Sequence, residues 1–202
     1  MAINLTTLEE VSQAVAHAQR FDSRVLLESF HPGYDLRIVV IGHEVVAAAI
    51  RHPAQVIGDG THSVKALIEA QSRRREAATA GESRIPMDEE TERTVRAAGH
   101  EYGDILPAGE RLAVRRAANL HTGGILEDVT ERLHPALADA AVRAARALDI
   151  PVVGLDFMVG DASQPDYVII EANERVGLAN HEPQPTAERF VDLLFPHSRA
   201  PA

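Results

Sequence analysis

The sequence predicts an α+β fold, an antiparallel sheet with flanking helices, and three observations carry that expectation. Residues 35–41 and 44–51 are apolar, β-branched runs separated only by Gly42-His43, and a two-residue link with a leading Gly suits a tight hairpin. Residues 152–159 and 167–173 read as a second pair of strands around the turn-rich stretch from Gly160 to Asp166. Residues 135–149 make the clearest helix. Pro135 suits its first turn, Leu137, Ala141, Ala144 and Leu148 share a face, and Asp139 with Arg143 is an i,i+4 pair.

The other elements follow in chain order. Residues 6–19 open on Thr6-Thr7 ahead of Glu9-Glu10 and repeat apolar side chains at Leu8, Val11, Val15 and Ala18, the pattern of a capped amphipathic helix. Val25-Leu26-Leu27-Glu28 reads as a buried strand, ended by the turn His31-Pro32-Gly33. Gly58-Asp59-Gly60 is a turn before a helix over residues 62–75, whose Arg73-Arg74-Arg75 reads as a solvated end. Residues 77–109 are the least regular, with one short helix at 89–98, and such an excursion is often a lid or substrate loop. A helix over residues 186–195 closes the pattern.

Composition narrows the function. With 202 residues, 45% of them hydrophobic, the chain fits one globular domain, or one domain plus part of a neighbour. A formal net charge of -10 without a basic run argues against nucleic acid or an anionic membrane as partner. Nucleotides remain open, because phosphate sites use a few local Arg residues, backbone amides and a metal ion. The lack of cysteine excludes disulfides, thiolate metal sites and a cysteine nucleophile. No stretch is long and apolar enough to cross a bilayer and no signal-peptide pattern opens the chain, so the expected localisation is cytoplasmic.

Three groups of residues could do chemistry. Glu171 and Asn173 are two apart on one strand and share a face, and a hairpin centred near Ser163-Gln164 brings Asp156 opposite Glu171. Carboxylates meeting on one sheet face call for a cation between them, and hard oxygen donors suit magnesium. The competing reading is that these are polar strand ends facing water. Asp35 and Arg37 share a strand face beside Arg51, an arrangement able to hold ribose hydroxyls and phosphate, although on the residues alone a cross-strand salt bridge is the better reading. Asn119-Leu120-His121-Thr122-Gly123-Gly124 is the third group: Gly123 and Gly124 would let backbone amides approach an anion and Asn119 adds a polar handle, but a Gly pair is more often a turn. The ten His residues, His121 and His181 among them, show no metal-ligand spacing.

In chain order these pieces resemble the ATP-grasp superfamily, most nearly the ATP-grasp region of cyanophycin synthetases and of N-acetylglutaminylglutamine synthetase. The stretches that carry the resemblance are His31-Pro32-Gly33-Tyr34-Asp35-Leu36-Arg37, Gly58-Asp59-Gly60-Thr61-His62, Ala118-Asn119-Leu120-His121-Thr122-Gly123-Gly124, Asp128-Val129-Thr130 and Glu171-Ala172-Asn173-Glu174-Arg175. The resemblance implies an adenine hinge at Glu28, Ser29, Phe30 and His31, with Asp35 on the ribose. It implies phosphate-facing Arg37 and Arg51, magnesium ligands Asp156, Glu171 and Asn173, and a substrate loop carrying Arg175, Gly177 and His181. Val176 stands where the family often has Pro.

The activity implied is ATP-dependent ligation of a carboxylate to an amine through an acyl phosphate, on amino-acid or peptide substrates, with ATP and magnesium as cofactors. Residues 28–202 would be the C-terminal ATP-grasp lobe and residues 1–27 a remnant of the small N-terminal lobe. That small lobe is expected to be incomplete, its phosphate-contacting Lys and Gly-rich loop lying upstream of Met1, so the chain alone would be inactive. The apolar face of Leu8, Val11 and Val15 would then turn to another surface, a second copy of the chain being one candidate. Two rivals stand beside this reading: a non-catalytic truncated module that binds nucleotide weakly or a protein partner, and a phosphotransferase that stops at the acyl phosphate.

Overall fold

The computed structural model describes residues 5–178, 181 and 183–197, in two compact units, Met1–Pro32 and Gly33–Ala202. The first unit holds one helix, α1 (Leu8–Ala18), closed at its start by a capping box between Thr7 and Glu10. None of its helical residues is buried. The strand expected at Val25–Glu28 does not form: the segment is coil, and Leu26 is 80% exposed. A run of apolar residues becomes a strand only when another strand takes up its N–H and C=O groups, and among the described residues none does so here.

The second unit is built on one sheet. β1 (Tyr34–Ile41) and β2 (Glu44–His52) form the expected hairpin, turning on Gly42 at φ 61° and His43 at φ 64°. Two successive left-handed residues match the right-handed twist of the strands they join. β6 (Val152–Val159) pairs with the free side of β1, β7 (Tyr167–Asn173) with β6, and β5 (Ile125–Asp128) with β2. The order is β5-β2-β1-β6-β7 and every neighbouring pair is antiparallel.

Strand alternation gives the two faces different partners. Leu36, Ile38, Val40, Ile50, Leu155 and Phe157 point to one face, where α4 (Pro135–Leu148) covers them with Leu137, Ala140, Ala141 and Ala145. On the other face, Val39, Ile41 and Ala47 lie under α5 (Thr186–Leu194), through Phe190 and Leu193. The same face continues along β1, β2, β6 and β7 into a polar end, made by Asp35, Arg37, Arg51, Asp156, Glu171 and Asn173.

Between β2 and β5 the chain folds a small subdomain, with β3 (Gln55–Ile57) paired to β4 (Arg111–Ala113), α2 (Val64–Ala78) and α3 (Glu89–Ala97). Its core takes Val56, Ile68, Leu112 and Val114 together with Ile85, Val95 and Leu106 from the stretch read as a lid or loop. That stretch is packed structure. Arg115, 6% exposed, reaches back to Asp88 at 2.6 Å and Glu90 at 2.8 Å and fixes the start of α3. The three buried apolar residues are too far apart in sequence to show a period, and convergence through Arg115 is tertiary.

Candidate functional site

The sheet's polar end is assembled by register. Arg37 on β1 faces Asp156 on β6, Asp35 faces Arg51 on β2, and Asp156 faces Glu171 on β7. A one-residue bulge in β7 follows that last pair, at Asp156/Phe157, so Glu171 and Asn173 stay on the face of Asp156 while the chain beyond them is re-phased. Gly154, directly across from Asn173, leaves room for the Arg37 guanidinium: a Cβ there would stand 2.8 Å from its Nη1.

Asp156 is the hub and only 4% exposed. Arg37 grips it with two N–H groups, Nε to Oδ1 and Nη2 to Oδ2, the latter at 3.0 Å. Arg51 Nη2 lies 2.9 Å from Oδ2 and also donates to Asp35 at 2.6 Å, with its Nε at 2.9 Å from the same Asp35 oxygen. The Asn173 amide donates to Glu171 at 2.8 Å and reaches Asp156 at 3.4 Å. The expected convergence of Asp156, Glu171 and Asn173 on one hairpin face is therefore present.

Charge follows from these contacts. Burial works to lower the Arg51 pKa, but Asp35 and Asp156 outweigh it and hold the guanidinium firmly cationic. Burial pushes the Asp35 carboxyl up, against the pull of Arg51. The two directions agree, because Arg51 divides its charge between two carboxylates and Asp35 receives only part. Three carboxylates (Asp35, Asp156, Glu171) share this face with two guanidinium groups (Arg37, Arg51); the arginines pair with Asp35 and Asp156, and Glu171, exposed at the edge, is the negative charge in excess.

This corner opens into a cavity of about 410 Å³, lined by Asp35, Arg37 and Arg51 from the sheet, by residues 117–121, and by Leu126, Gly177 and His181. His181 is 7% exposed and its Nδ1 has no hydrogen-bond partner. Burial, with Arg37 and Arg51 nearby, lowers its pKa, so the ring is neutral at pH 7.

The chain is 30% identical to cyanophycin synthetase from Nostoc sp., over 99% of this chain and 24% of that protein. It is also 30% identical to the glutathione biosynthesis bifunctional protein GshAB of Clostridium perfringens, over 93% of this chain and 26% of that protein. Among solved structures, a bifunctional glutathione synthetase from Pasteurella multocida superposes with a TM-score of 0.70 at 26% identity, over 95% of this chain and 28% of that one. The chain is a homologue of ATP-grasp ligases. It spans about a quarter of the length of the curated relatives it matches. No family model matches it.

Against the ATP-grasp expectation, the structure gathers Asp35, Arg37, Arg51, Asn119, Gly177 and His181 around one cavity. Asp156 touches both arginines, and Glu171 and Asn173 adjoin it. Arg175 is exposed and does not line the cavity, and residues 179–180 of the substrate loop lie outside the described residues. Glu28, Ser29, Phe30 and His31, the expected adenine hinge, are coil in the first unit.

Gly123 and Gly124 act differently from the anion-cradling role expected of them. Their N–H groups donate to Leu120 and Asn119 carbonyls, at 3.1 and 2.9 Å, and close a short 3₁₀ turn (Leu120–Thr122). Gly123, at φ 92°, is pressed against Ile85 of the subdomain core. The pair is needed for packing, since a Cβ has no room there. Arg75 likewise departs from the solvated helix end expected of it: it is half-buried, with Nη2 donating to the Gly124 carbonyl at 2.6 Å. Its position a few residues before the return through buried Ser83 and Ile85 carries no local pattern that separates it from Arg73 and Arg74.

Proposed function

We propose that this chain supplies the phosphate- and magnesium-handling part of an ATP-dependent carboxylate–amine ligase acting on amino-acid or peptide substrates. The observation that carries the reading is the cluster of Asp35, Arg37, Arg51, Asp156, Glu171 and Asn173, one negative charge in excess, at the wall of an open cavity in an ATP-grasp homologue.

The donor set fits magnesium. Among the described residues Glu171 has an unengaged carboxylate oxygen and Asn173 an unengaged amide oxygen, whereas Asp156 Oδ1 meets Arg37 alone and Oδ2 meets Arg37, Arg51 and Asn173. Glu171, Asn173 and Asp156 Oδ1 would hold the ion, which when bound neutralises nucleotide phosphate charge. Among the described residues no group of three or more His, Cys, Asp or Glu side chains could do so, and an amide is the third donor here. Arg37 and Arg51 would stabilise charge on the transferring phosphoryl group while Asp35 accepts from ribose.

A substrate carboxylate oxygen would attack the γ-phosphorus, with the bond to ADP breaking as the acyl phosphate forms. The amine nitrogen would then attack the acyl carbon, phosphate would leave, and the amine proton would pass to solvent. No side-chain nucleophile is required.

Lys65 is the chain's single lysine; it stands at the start of α2 and does not line the cavity. Further cationic contacts to the nucleotide are therefore expected from another lobe, in cis or from a partner, and the 202-residue chain alone is expected to fold without ligating. Calorimetry with ATP and magnesium, and ADP release with and without added amine, test this. Micromolar ATP affinity with steady amine-dependent turnover by the isolated chain would overturn the divided-site reading. In the active assembly, Arg51→Ala should lower turnover on the order of 10²-fold, and near-normal turnover would remove its phosphate role.

A further inference from the structure

A second cavity of about 180 Å³ shares a wall with the first. Leu120, His121 and Leu126 line both, and its other side is Arg75, Thr79, Glu82 and Ser83. We propose that this second cavity seats the zwitterionic head of an amino-acid substrate, Arg75 facing its carboxylate and Glu82 its ammonium group, an inference that rests on the ligase reading above.

Among the described residues Arg75 is a cation without an anion. Its Nε donates to the Ser83 hydroxyl at 3.2 Å and its Nη2 to the Gly124 carbonyl at 2.6 Å, both neutral partners. A guanidinium has five N–H donors, so three are unclaimed by protein among the described residues. Burial lowers its pKa and no nearby acid restores it. A half-buried charge held this way is costly until a carboxylate arrives, and the planar fork is shaped to receive one.

The fork is held rigidly. Ser83 is buried and its Oγ donates to the Leu120 carbonyl, while the Thr79 hydroxyl accepts from the Ser83 N–H at 2.9 Å and donates to the Arg75 carbonyl at 2.8 Å. Glu82 stands at the rim with its backbone carbonyl 3.2 Å from His121 Nδ1, and its carboxylate has no ion-pair partner among the described residues. One unpaired cation and one unpaired anion on a small cavity complement an α-amino-acid head. Past the shared wall of His121 and Leu126, the rest of such a substrate reaches the cavity of Arg37 and Arg51.

The test is a titration of the ¹⁵N-labelled 202-residue chain with L-aspartate, L-arginine, acetate and ethylamine. Both amino acids should shift the amide signals of Ser83, His121 and Gly124, and bind at least tenfold more tightly than acetate or ethylamine. Arg75→Ala should weaken them at least tenfold, the effect of losing one charge-assisted contact. Because Arg75 also holds Gly124, Glu82→Gln is the decisive variant: it should weaken binding with an unchanged melting temperature. Acetate binding as well as the amino acids, unchanged affinity in Glu82→Gln, or no shift by either amino acid would each overturn the proposal. A parallel ATP–magnesium titration carried into the millimolar range, where the weak binding expected of the isolated chain is visible, is read at Arg51 and Asn119 and separates the two readings. Amino-acid shifts without ATP shifts would sink the ligase reading alone, and ATP shifts without amino-acid shifts would sink this inference alone.

Discussion

Replacing Asp156 by Asn should destabilise the fold strongly even with no nucleotide or metal present. Among the described residues Asp156 is the one acid that Arg37 pairs with, and it is the second acid of Arg51. Asp156→Asn keeps the shape but removes the charge, and it turns an amide toward one of the two guanidinium groups. Breaking a buried ion pair from one side costs about 3–5 kcal/mol. The low end applies, because the arginine side chains keep 15% and 20% exposure and Arg51 retains Asp35. For a unit of this size, about 3 kcal/mol corresponds to a fall of roughly 6–12 °C in melting temperature. Differential scanning calorimetry with matched urea curves measures it. The paired variant Arg37→Met with Asp156→Leu should recover at least half of the loss, since replacing a buried pair by apolar residues is often neutral. That same variant should lose magnesium-dependent nucleotide binding. A melting temperature for Asp156→Asn within about 2 °C of the parent would refute the description of Asp156 as a buried electrostatic hub.

The remaining predictions concern pH and packing. The folded His181 has a pKa below its ordinary 6.5, so the unfolded chain binds the proton first as pH falls. Stability is thus full above about pH 7 and declines toward pH 5, and His181→Leu should flatten that slope in urea titrations; an unchanged slope would show that His181 is not buried neutral. Phe157→Ala, in the core under α4, should cost about 3–5 kcal/mol, whereas Leu26→Ala should stay within about 0.5 kcal/mol, and equal losses would show that residues 25–28 are packed after all. Gly123→Ala should destabilise by about 2 kcal/mol through its clash with Ile85 and its positive φ, with chemical denaturation as the measure; a neutral result would reopen a direct ligand role for its backbone.

Local pattern made most of the framework legible. The hairpin at Gly42-His43, the strands 152–159 and 167–173, and the helix begun by Pro135 all lie where residue periodicity and turn chemistry placed them. Those signals act within a few residues, and the fold keeps them because its core agrees with them. The convergence of Asp156, Glu171 and Asn173 was legible for the same reason, since a two-residue spacing and a short hairpin fix which side chains share a face.

What lay beyond reach was every feature set by partners distant in sequence. Val25–Glu28 carries a strand's composition and, among the described residues, has no strand to pair with, whereas the three-residue strands β3 and β4 form because each supplies the other's hydrogen bonds. Arg73, Arg74 and Arg75 are indistinguishable in sequence, and only the packing of residues 83 and 124 against α2 turns Arg75 inward. The sequence by itself determined which residues could be strand, helix or turn and which carboxylates share a face. The tertiary structure alone decided that β6 lies beside β1, and so that Asp156 meets Arg37, 119 residues away. The physical reason is that a side chain's charge state and role depend on what replaces its water, and that replacement is chosen by long-range packing.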